Sequence, residues 1–490
     1  MKSEQLRSNS PLPRGSHEGV LPLKGVGGSL YHAEQVIKKL PASLDYKLVL
    51  LENHEDNIVL RDGKLEKMLR ATSLSLAINL YLDGREGFFY TNNLQADAVE
   101  SFIRQAFETT RLLEPDESRT LADPSRYYKG GGPDMQNFDA SLCEIAPAEK
   151  IKLLEETAKE VEGKDKRIIS VQARYVDRQH EAHYLISNGF DATEQSSYCT
   201  LTSIVTVEGE GGQHPMDGWG ESRIFFRQMP RSGIGKTALE RTLRKIGQRP
   251  APSGRYRMIL ESPCAGNFLQ PLLNAMGGQA LQQKASFLMG KLGEKVVSPL
   301  VNIVDDPLQP GTRGASLFDY DGVATKRREV FTEGRLMTYF IDTPMSKKLG
   351  MAPTTQGIHR LIMESSEPAP SPLQTPQPPL GGACIPAAPP RKTPPKGGWG
   401  VLGSGEGAPT ILVTDFNGGN CDPVTGNFSY GIEGFLLENG IIIQPVSGMN
   451  ITGNMLDVWQ RLSHVADDAD PWETELIPSL TFEDVAFGGC

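Results

Sequence analysis

The chain has 490 residues, more than a single hydrophobic core usually serves, so at least two bodies are expected. A formal charge of −10 argues against a protein that grips nucleic acid directly, because that work needs concentrated positive surface. The six cysteines are scattered without a CxxC pair, which excludes a zinc ribbon and a disulfide scaffold and fits a reducing cytoplasm; no apolar run approaches the roughly 18 residues of a membrane-spanning helix.

Residues 1–28 are rich in Ser, Pro and Gly and are expected to be disordered. From Tyr46 onward short strands are joined at Asp62-Gly63 and Asp83-Gly84, both dipeptides that accept positive φ, so a meander is predicted. Helical spacing follows over 95–113, with Ala98, Phe102, Ala106, Phe107 and Leu113 on one stripe. A second helix over 146–162 turns Ile151, Leu154, Ala158 and Val161 inward and its charges outward.

Two long strands are predicted at 168–187 and 198–208, joined through Asn188-Gly189, and a short basic helix at 237–246. The run Arg249-Pro250-Ala251-Pro252-Ser253-Gly254 reads as a boundary. Beyond it come a strand at 256–260, a helix at 268–281, strand pieces near 301–304, 330–331 and 336–341 with Glu333-Gly334 at a turn, and a brief helix at 345–349. Over 365–407 the composition shifts to Pro, Gly, Ala and Ser, which cannot bury enough apolar surface to offset ordering, so a disordered insertion is expected there. A helix over 455–465 and a strand over 478–485 close the chain.

The densest strand and turn signals lie over 413–454. Phe428, Tyr430, Ile432, Gly434 and Leu436 share one face of a strand, while Ser429, Gly431 and Glu433 share the other. Asp422-Pro423-Val424-Thr425-Gly426 and Glu438-Asn439-Gly440 supply turns before and after it. Gly418, Gly419, Gly426, Gly431 and Gly434 exceed what those turns need; glycine within a strand marks a bulge, a bend, or close approach by another backbone or a ligand. The prediction is an α+β protein with an α+β meander domain at 29–250 and a mostly antiparallel β domain with helices at 251–490.

Local motifs supply no catalytic centre. His180-Glu181-Ala182-His183 spaces its histidines three apart on a strand, so they point to opposite faces and cannot share a metal. Gly233-Ile234-Gly235-Lys236-Thr237 has the ending of a phosphate-binding loop, but Pro230 stands where that loop needs its first glycine, and a helix start is the better reading.

Several segments in order resemble the TldD/PmbA family, called modulators of DNA gyrase, and specifically its PmbA (TldE) branch. The residues that carry the resemblance are Asp422 to Gly431 (DPVTGNFSYG), Gly434 to Gly440 (GFLLENG) and Ile451-Thr452-Gly453-Asn454, supported by Tyr81 to Arg85 (YLDGR), Phe318 to Val323 (FDYDGV) and Ser346 to Gly350 (SKKLG). The resemblance implies a two-domain architecture and a pairing in which an active TldD subunit, a metalloprotease with HExxxH on a helix after a strand plus a late cysteine, works with a TldE subunit on unfolded peptides. At the corresponding place, Met258 to Phe268 (MILESPCAGNF), this chain has no histidine, and 471–478 replaces the late cysteine.

The resemblance therefore implies a subunit without metal or other cofactor, partnered by a TldD-like protease or by itself. Its candidate contacts with a peptide or partner backbone are Gly418, Gly419, Asp422, Gly426, Ser429, Gly431 and Gly434. The alternatives are an independent peptidase with an unrecognised site, or a homodimeric module that holds extended peptides along a sheet edge.

Overall fold

The computed structural model describes residues 27–41, 44–355, 357–366 and 409–489. Residues 1–26 and 367–408, which hold most of the two stretches expected to be disordered, lie outside the described residues. The helix α1 (Gly27–Ile37) begins two residues inside the first of them. Ser365 and Ser366, at the start of the second, are tied down: Ser365 Oγ donates to the Val465 carbonyl at 3.1 Å, and Val465 N–H donates to Ser366 Oγ at 2.9 Å.

The first sheet is six-stranded and antiparallel, two three-stranded meanders joined through β1 and β4, built from β1 (Asp45–Arg61), β2 (Lys64–Leu82), β3 (Arg85–Thr91), β4 (Ile168–Ile186), β5 (Phe190–Val207) and β6 (Met216–Arg223), in the order β3-β2-β1-β4-β5-β6. Its tight turns form where the sequence places them, with Asp62 and Gly63 at φ of 50° and 71° and Asp83 and Gly84 at 48° and 72°. β5 starts at Phe190, earlier than the β-branched run alone suggests, because Phe190 to Ser197 pair in unbroken register with Ile186 to Gln179 of β4.

α1, α2 (Ala96–Thr110), α3 (Pro147–Lys159) and α4 (Ile234–Arg244) serve this sheet. Leu48, Leu50, Leu76, Ile78 and Leu80 alternate along their strands and pack with Val99, Ile103 and Phe107 of α2. The opposite face, with Val49, Ala77 and Tyr184, is covered by Phe318 and Val323 from the second half of the chain.

The helix expected over 455–465 ends at Gln460, with a strand over Leu462–Val465, and the inward stripes of two further helices need correction. The buried stripe of α2 runs through Val99, Ile103, Ala106, Phe107 and Thr110, and Leu113 lies beyond the helix end at Thr110, exposed. On α3 the charges do not all face outward: Lys150 is fully buried, with its ammonium 2.7 Å from Asp56 and 2.5 Å from Asp177 on β1 and β4, while Ile151 is half-buried. Two strand carboxylates beneath the helix make a buried cation favourable there.

The chain then runs through β7 (Gly254–Leu260), α5 (Ser262–Ala275), α6 (Gly278–Gln282), β8 (Ile303–Asp305), β9 (Arg328–Thr332), β10 (Arg335–Leu336), α7 (Thr343–Leu349), β11 (Leu361–Met363), β12 (Thr410–Cys421), β13 (Asn427–Glu438), β14 (Ile441–Asn454), α8 (Met455–Gln460), β15 (Leu462–Val465), β16 (Glu475–Leu476) and β17 (Leu480–Gly489). These strands form a five-stranded sheet, β10-β9-β8-β11-β16, and a six-stranded sheet, β14-β13-β12-β7-β17-β15. Pairing is antiparallel except for β7 with β12 and β11 with β16, so the whole is α+β.

The largest core lies between these two sheets, with α5 inside it. Phe268 of α5 stacks on Trp459 at 5.9 Å and meets Phe428 and Phe482 edge-on at 5.5 Å each, which fixes the helix against β13 and β17. The alternation along β13 puts Phe428 and Ile432 into this core, as its spacing predicts. The other face is not left to solvent throughout: Phe435 and Leu437 form a second small core with Ile259 and Leu412. Among the described residues no helix is long and apolar enough to cross a membrane.

Candidate functional site

The junction between β7 and α5 is built from Leu260-Glu261-Ser262-Pro263-Cys264. Pro263 occupies the first turn, where its missing N–H costs no hydrogen bond, and Glu261 is the N-cap residue. The Glu261 side chain does not cap the helix. Its carboxylate is held by Arg241 of α4, Nη1 to Oε1 at 2.8 Å and Nη2 to Oε2 at 2.9 Å, so both oxygens are engaged. Burial alone would depress the Arg241 guanidinium; the charges of Glu261 and Asp217 more than offset it and hold its pKa above the ordinary value.

One turn further on, Lys245 at the C-cap of α4 reaches Asp217 of β6 at 3.2 Å and Glu433 of β13 at 2.9 Å. Burial works against this ammonium too, and Asp217 and Glu433 together raise its pKa. Two cations on successive turns of α4 thus fasten the α5 N-terminus and the glycine-rich strand to the first sheet.

The stretch 471–478 comes to the same helix end. Ser262 Oγ donates to the Ile477 carbonyl at 2.9 Å, and Ser262 N–H donates to Ser479 Oγ at 3.0 Å. Glu475 stands over Gly266, where a Cβ would lie 2.9 Å from Oε2. Burial, with Glu473 adding, pushes the Glu475 carboxyl above its ordinary value. Cys264 is buried and its thiol faces the carbonyls of Glu261 and Val413 at 3.2 and 3.3 Å; burial, reinforced by Glu261, pushes its pKa up.

A zinc ion needs several donors with free lone pairs converging on one point and, for catalysis, an open position. Here Glu261 has both oxygens bound to a guanidinium, and burial keeps the Cys264 thiol's pKa high. Among the described residues no group of three or more His, Cys, Asp or Glu side chains is arranged to hold a metal ion. The donor set does not fit zinc.

The two local motifs are also resolved. His180 Nδ1 meets Asn53 Oδ1 at 2.8 Å and His183 Nε2 meets Asp191 at 2.7 Å, on separate faces of β4, and burial lowers the His180 pKa. The helix start at Gly233 is filled from within, since Glu160 accepts the N–H of Gly233 at 2.6 Å and of Lys236 at 3.1 Å.

The glycine-rich residues divide into two groups. Gly418, Gly419, Asp422 and Ser429 are exposed at one end of the sheet. Gly418 and Gly419 sit in a bulge at φ of 126° and 116°, and Asp422 Oδ1 accepts the N–H of Val424 at 2.9 Å and Thr425 at 2.8 Å. Those two N–H groups hold the Asp422 carboxyl below its usual value. Gly426 and Gly434 are buried and Gly431 is half-buried. A Cβ at Gly434 would overlap the Leu412 carbonyl, and one at Gly419 the Ser429 carbonyl, so the close backbone approach at these two positions comes from neighbouring strands of the same sheet.

Beside the exposed group, a cavity of about 680 Å³ opens between the C-terminal end of α5, α6 and the turn after β12, with Cys421, Pro423 and Tyr430 on its wall. The sequence gives no signal for this cavity or for the Arg241–Glu261 pair, whose members lie on different elements and fit no motif.

At the β7–α5 junction the Arg241–Glu261 ion pair stands and no histidine is present over 258–268. Three models of one family match in succession: PmbA/TldA metallopeptidase domain 1 over 46–109, the central domain over 141–246 and the C-terminal domain over 253–489. A crystal structure from Bacteroides thetaiotaomicron, described as a modulator of DNA gyrase, is 39% identical, with a TM-score of 0.85, covering 94% of this chain and 98% of that one. The chain belongs to the PmbA/TldD family. It is also 23% identical to the metalloprotease PmbA of Escherichia coli O157:H7, covering 84% of each chain. TldE from Thermococcus kodakarensis shares the fold, with a TM-score of 0.73 at 19% identity over 94% of this chain and 99% of that one.

Proposed function

We propose that the chain is a TldE-like subunit of a TldD/TldE-type metalloprotease that acts on unfolded peptides in the cytoplasm, itself without a zinc site and dependent on a TldD-type partner for the metal. The observation that carries this reading is the β7–α5 junction, where Arg241 engages both oxygens of Glu261 and no histidine is present. The names of the relatives, metalloprotease PmbA and a TldD homologue among them, speak for proteolysis by the family. The donor set at the junction speaks against metal chemistry on this chain.

In this reading the subunit contributes surface rather than a reacting group. The exposed end of the glycine-rich sheet, Gly418, Gly419, Asp422 and Ser429, is the proposed contact for an extended peptide or the partner backbone, and Gly426, Gly431 and Gly434 shape the sheet beneath it. Co-expression with a TldD-type paralogue from the same source tests it. The expected result is a complex that cleaves an unfolded protein such as reduced casein only when both chains are present, with zinc measured in the partner alone. Cleavage by this chain alone, or stoichiometric zinc in it, would overturn the reading.

A further inference from the structure

The cavity beside the exposed end of the glycine-rich sheet is walled mainly by apolar side chains, among them Leu273, Phe287, Phe340, Ile358 and Tyr430. Among the described residues on its wall there is no lysine, arginine or histidine, and the one carboxylate, Asp342, accepts the Met345 N–H at 2.7 Å. The C-terminal end of α5, the negative end of a helix dipole, forms another part of the wall. The Arg328 guanidinium lies 4.7 Å from the Phe340 ring and donates to the Gly357 carbonyl, but it is not on the wall and is held by Asp305 at 2.8 Å.

The walls are tied to one another. Phe287 N–H donates to the Pro423 carbonyl at 3.0 Å, Gly278 N–H to the Phe340 carbonyl at 2.8 Å, and Ser286 Oγ to the Ala275 carbonyl at 2.6 Å. Walls fixed in this way need little ordering when a ligand enters. Apolar surface continues past them along the chain: Val424, next to Pro423, and Met289, two residues after Phe287, stand 57% and 42% exposed.

We infer that this cavity seats one large apolar side chain of the peptide held at the exposed end of the sheet, and turns away an acidic one. The inference rests on the peptide contact proposed above. Tyr430 on the wall follows Ser429 of that contact along β13, so a peptide laid there passes the cavity. A volume of about 680 Å³ takes a Leu, Phe or Trp side chain with its flanking backbone. Proteins bury such side chains when folded and display them when unfolded, so the cavity selects for unfolded peptides. A carboxylate entering it would leave water for a wall that offers no cation, beside Asp342 and the α5 carbonyl end. The cavity stands at the far end of α5 from the β7–α5 junction, about 20 Å away at about 1.5 Å per residue, so it selects peptides and carries no reacting group.

The full chain, purified alone, is titrated with fluorescein-labelled Gly/Ser nonapeptides that differ only in a central Phe, Ser or Asp, read by fluorescence anisotropy. The Phe peptide is expected to bind at least about tenfold more tightly than the other two. It is also expected to slow iodoacetamide alkylation of Cys421, which is on the wall, and not that of Cys143, as read by peptide mapping. Ala280→Trp fills the cavity from α6 and should abolish the preference for Phe. Gln283→Lys, at an exposed wall position, adds a cation and should tighten the Asp peptide by about threefold; it decides the case if Ala280→Trp does not fold. Equal binding of the three peptides, no binding of any, a Phe peptide that leaves Cys421 alkylation unchanged, a folded Ala280→Trp that keeps the preference, or an Asp peptide indifferent to Gln283→Lys would each overturn the inference. Casein cleavage by the two-chain complex alongside such a result would leave the proposed function standing, and a preference for Phe in a chain that supports no cleavage with its partner would do the reverse.

Discussion

Replacing Arg241 by methionine removes the guanidinium from Glu261 while keeping most of the side-chain volume. Glu261 has 7% of its side chain exposed and Arg241 16%, so the carboxylate left behind is largely out of water. Removing one partner of a buried ion pair costs roughly 3–5 kcal/mol, and the residual exposure of Arg241 puts this pair near about 3 kcal/mol. With a urea dependence of about 3 kcal/mol per molar, the midpoint should fall by about 1 M. Tryptophan fluorescence is a suitable signal, because Trp459 stacks on Phe268 of α5. The double variant Arg241→Met with Glu261→Met removes both charges and should recover most of the loss, since an apolar pair of similar volume replaces a buried ion pair at little cost. An unchanged midpoint in Arg241→Met, or a double variant as unstable as the two single losses added, would refute the reasoning that this pair holds the helix end.

Gly434→Ala should lose about 3 kcal/mol in the same assay, because its Cβ overlaps the Leu412 carbonyl and two paired strands must part to admit it. Asp305 is buried with Arg328 Nη2 at 2.8 Å and accepts the Arg360 N–H at 2.8 Å; burial raises its pKa, but the His359 hydrogen bond, the Arg360 N–H and the nearby positive charges prevail and hold it below the ordinary value. A depressed carboxyl stabilises the fold fully above the unfolded value of about 4 and loses that contribution as pH falls through the folded value. Asp305→Asn should therefore cost about 3 kcal/mol at pH 7, with the gap to the unsubstituted chain closing in more acid solution. Among the described cysteines, exposed Cys143 should react with iodoacetamide before buried Cys199 and Cys264, whose thiols burial pushes up, as read by peptide mapping of the native protein.

Turns were the most legible part of the sequence, because Asp62-Gly63, Asp83-Gly84, Glu333-Gly334 and Asn439-Gly440 all take positive φ at both positions, a local requirement that few residue pairs satisfy. Strand faces were legible where one side is dry, as at Phe428 and Ile432, and less so where a second small core forms, as at Phe435. Lys150 could not be foreseen as an inward residue, since its two carboxylate partners lie on other strands far away in sequence. The junction was legible only as an absence of histidine in 258–268. That a guanidinium from α4 engages both oxygens of Glu261 depends on how the first sheet meets the second half of the chain, which no local pattern encodes.

The most direct test of the account is zinc analysis paired with peptide cleavage on three samples: this chain, a TldD-type partner, and the two purified as a complex. The account predicts zinc in the partner and in the complex but not in this chain, with cleavage of an unfolded peptide by the complex only. Stoichiometric zinc bound to this chain, or cleavage by it without the partner, would contradict it.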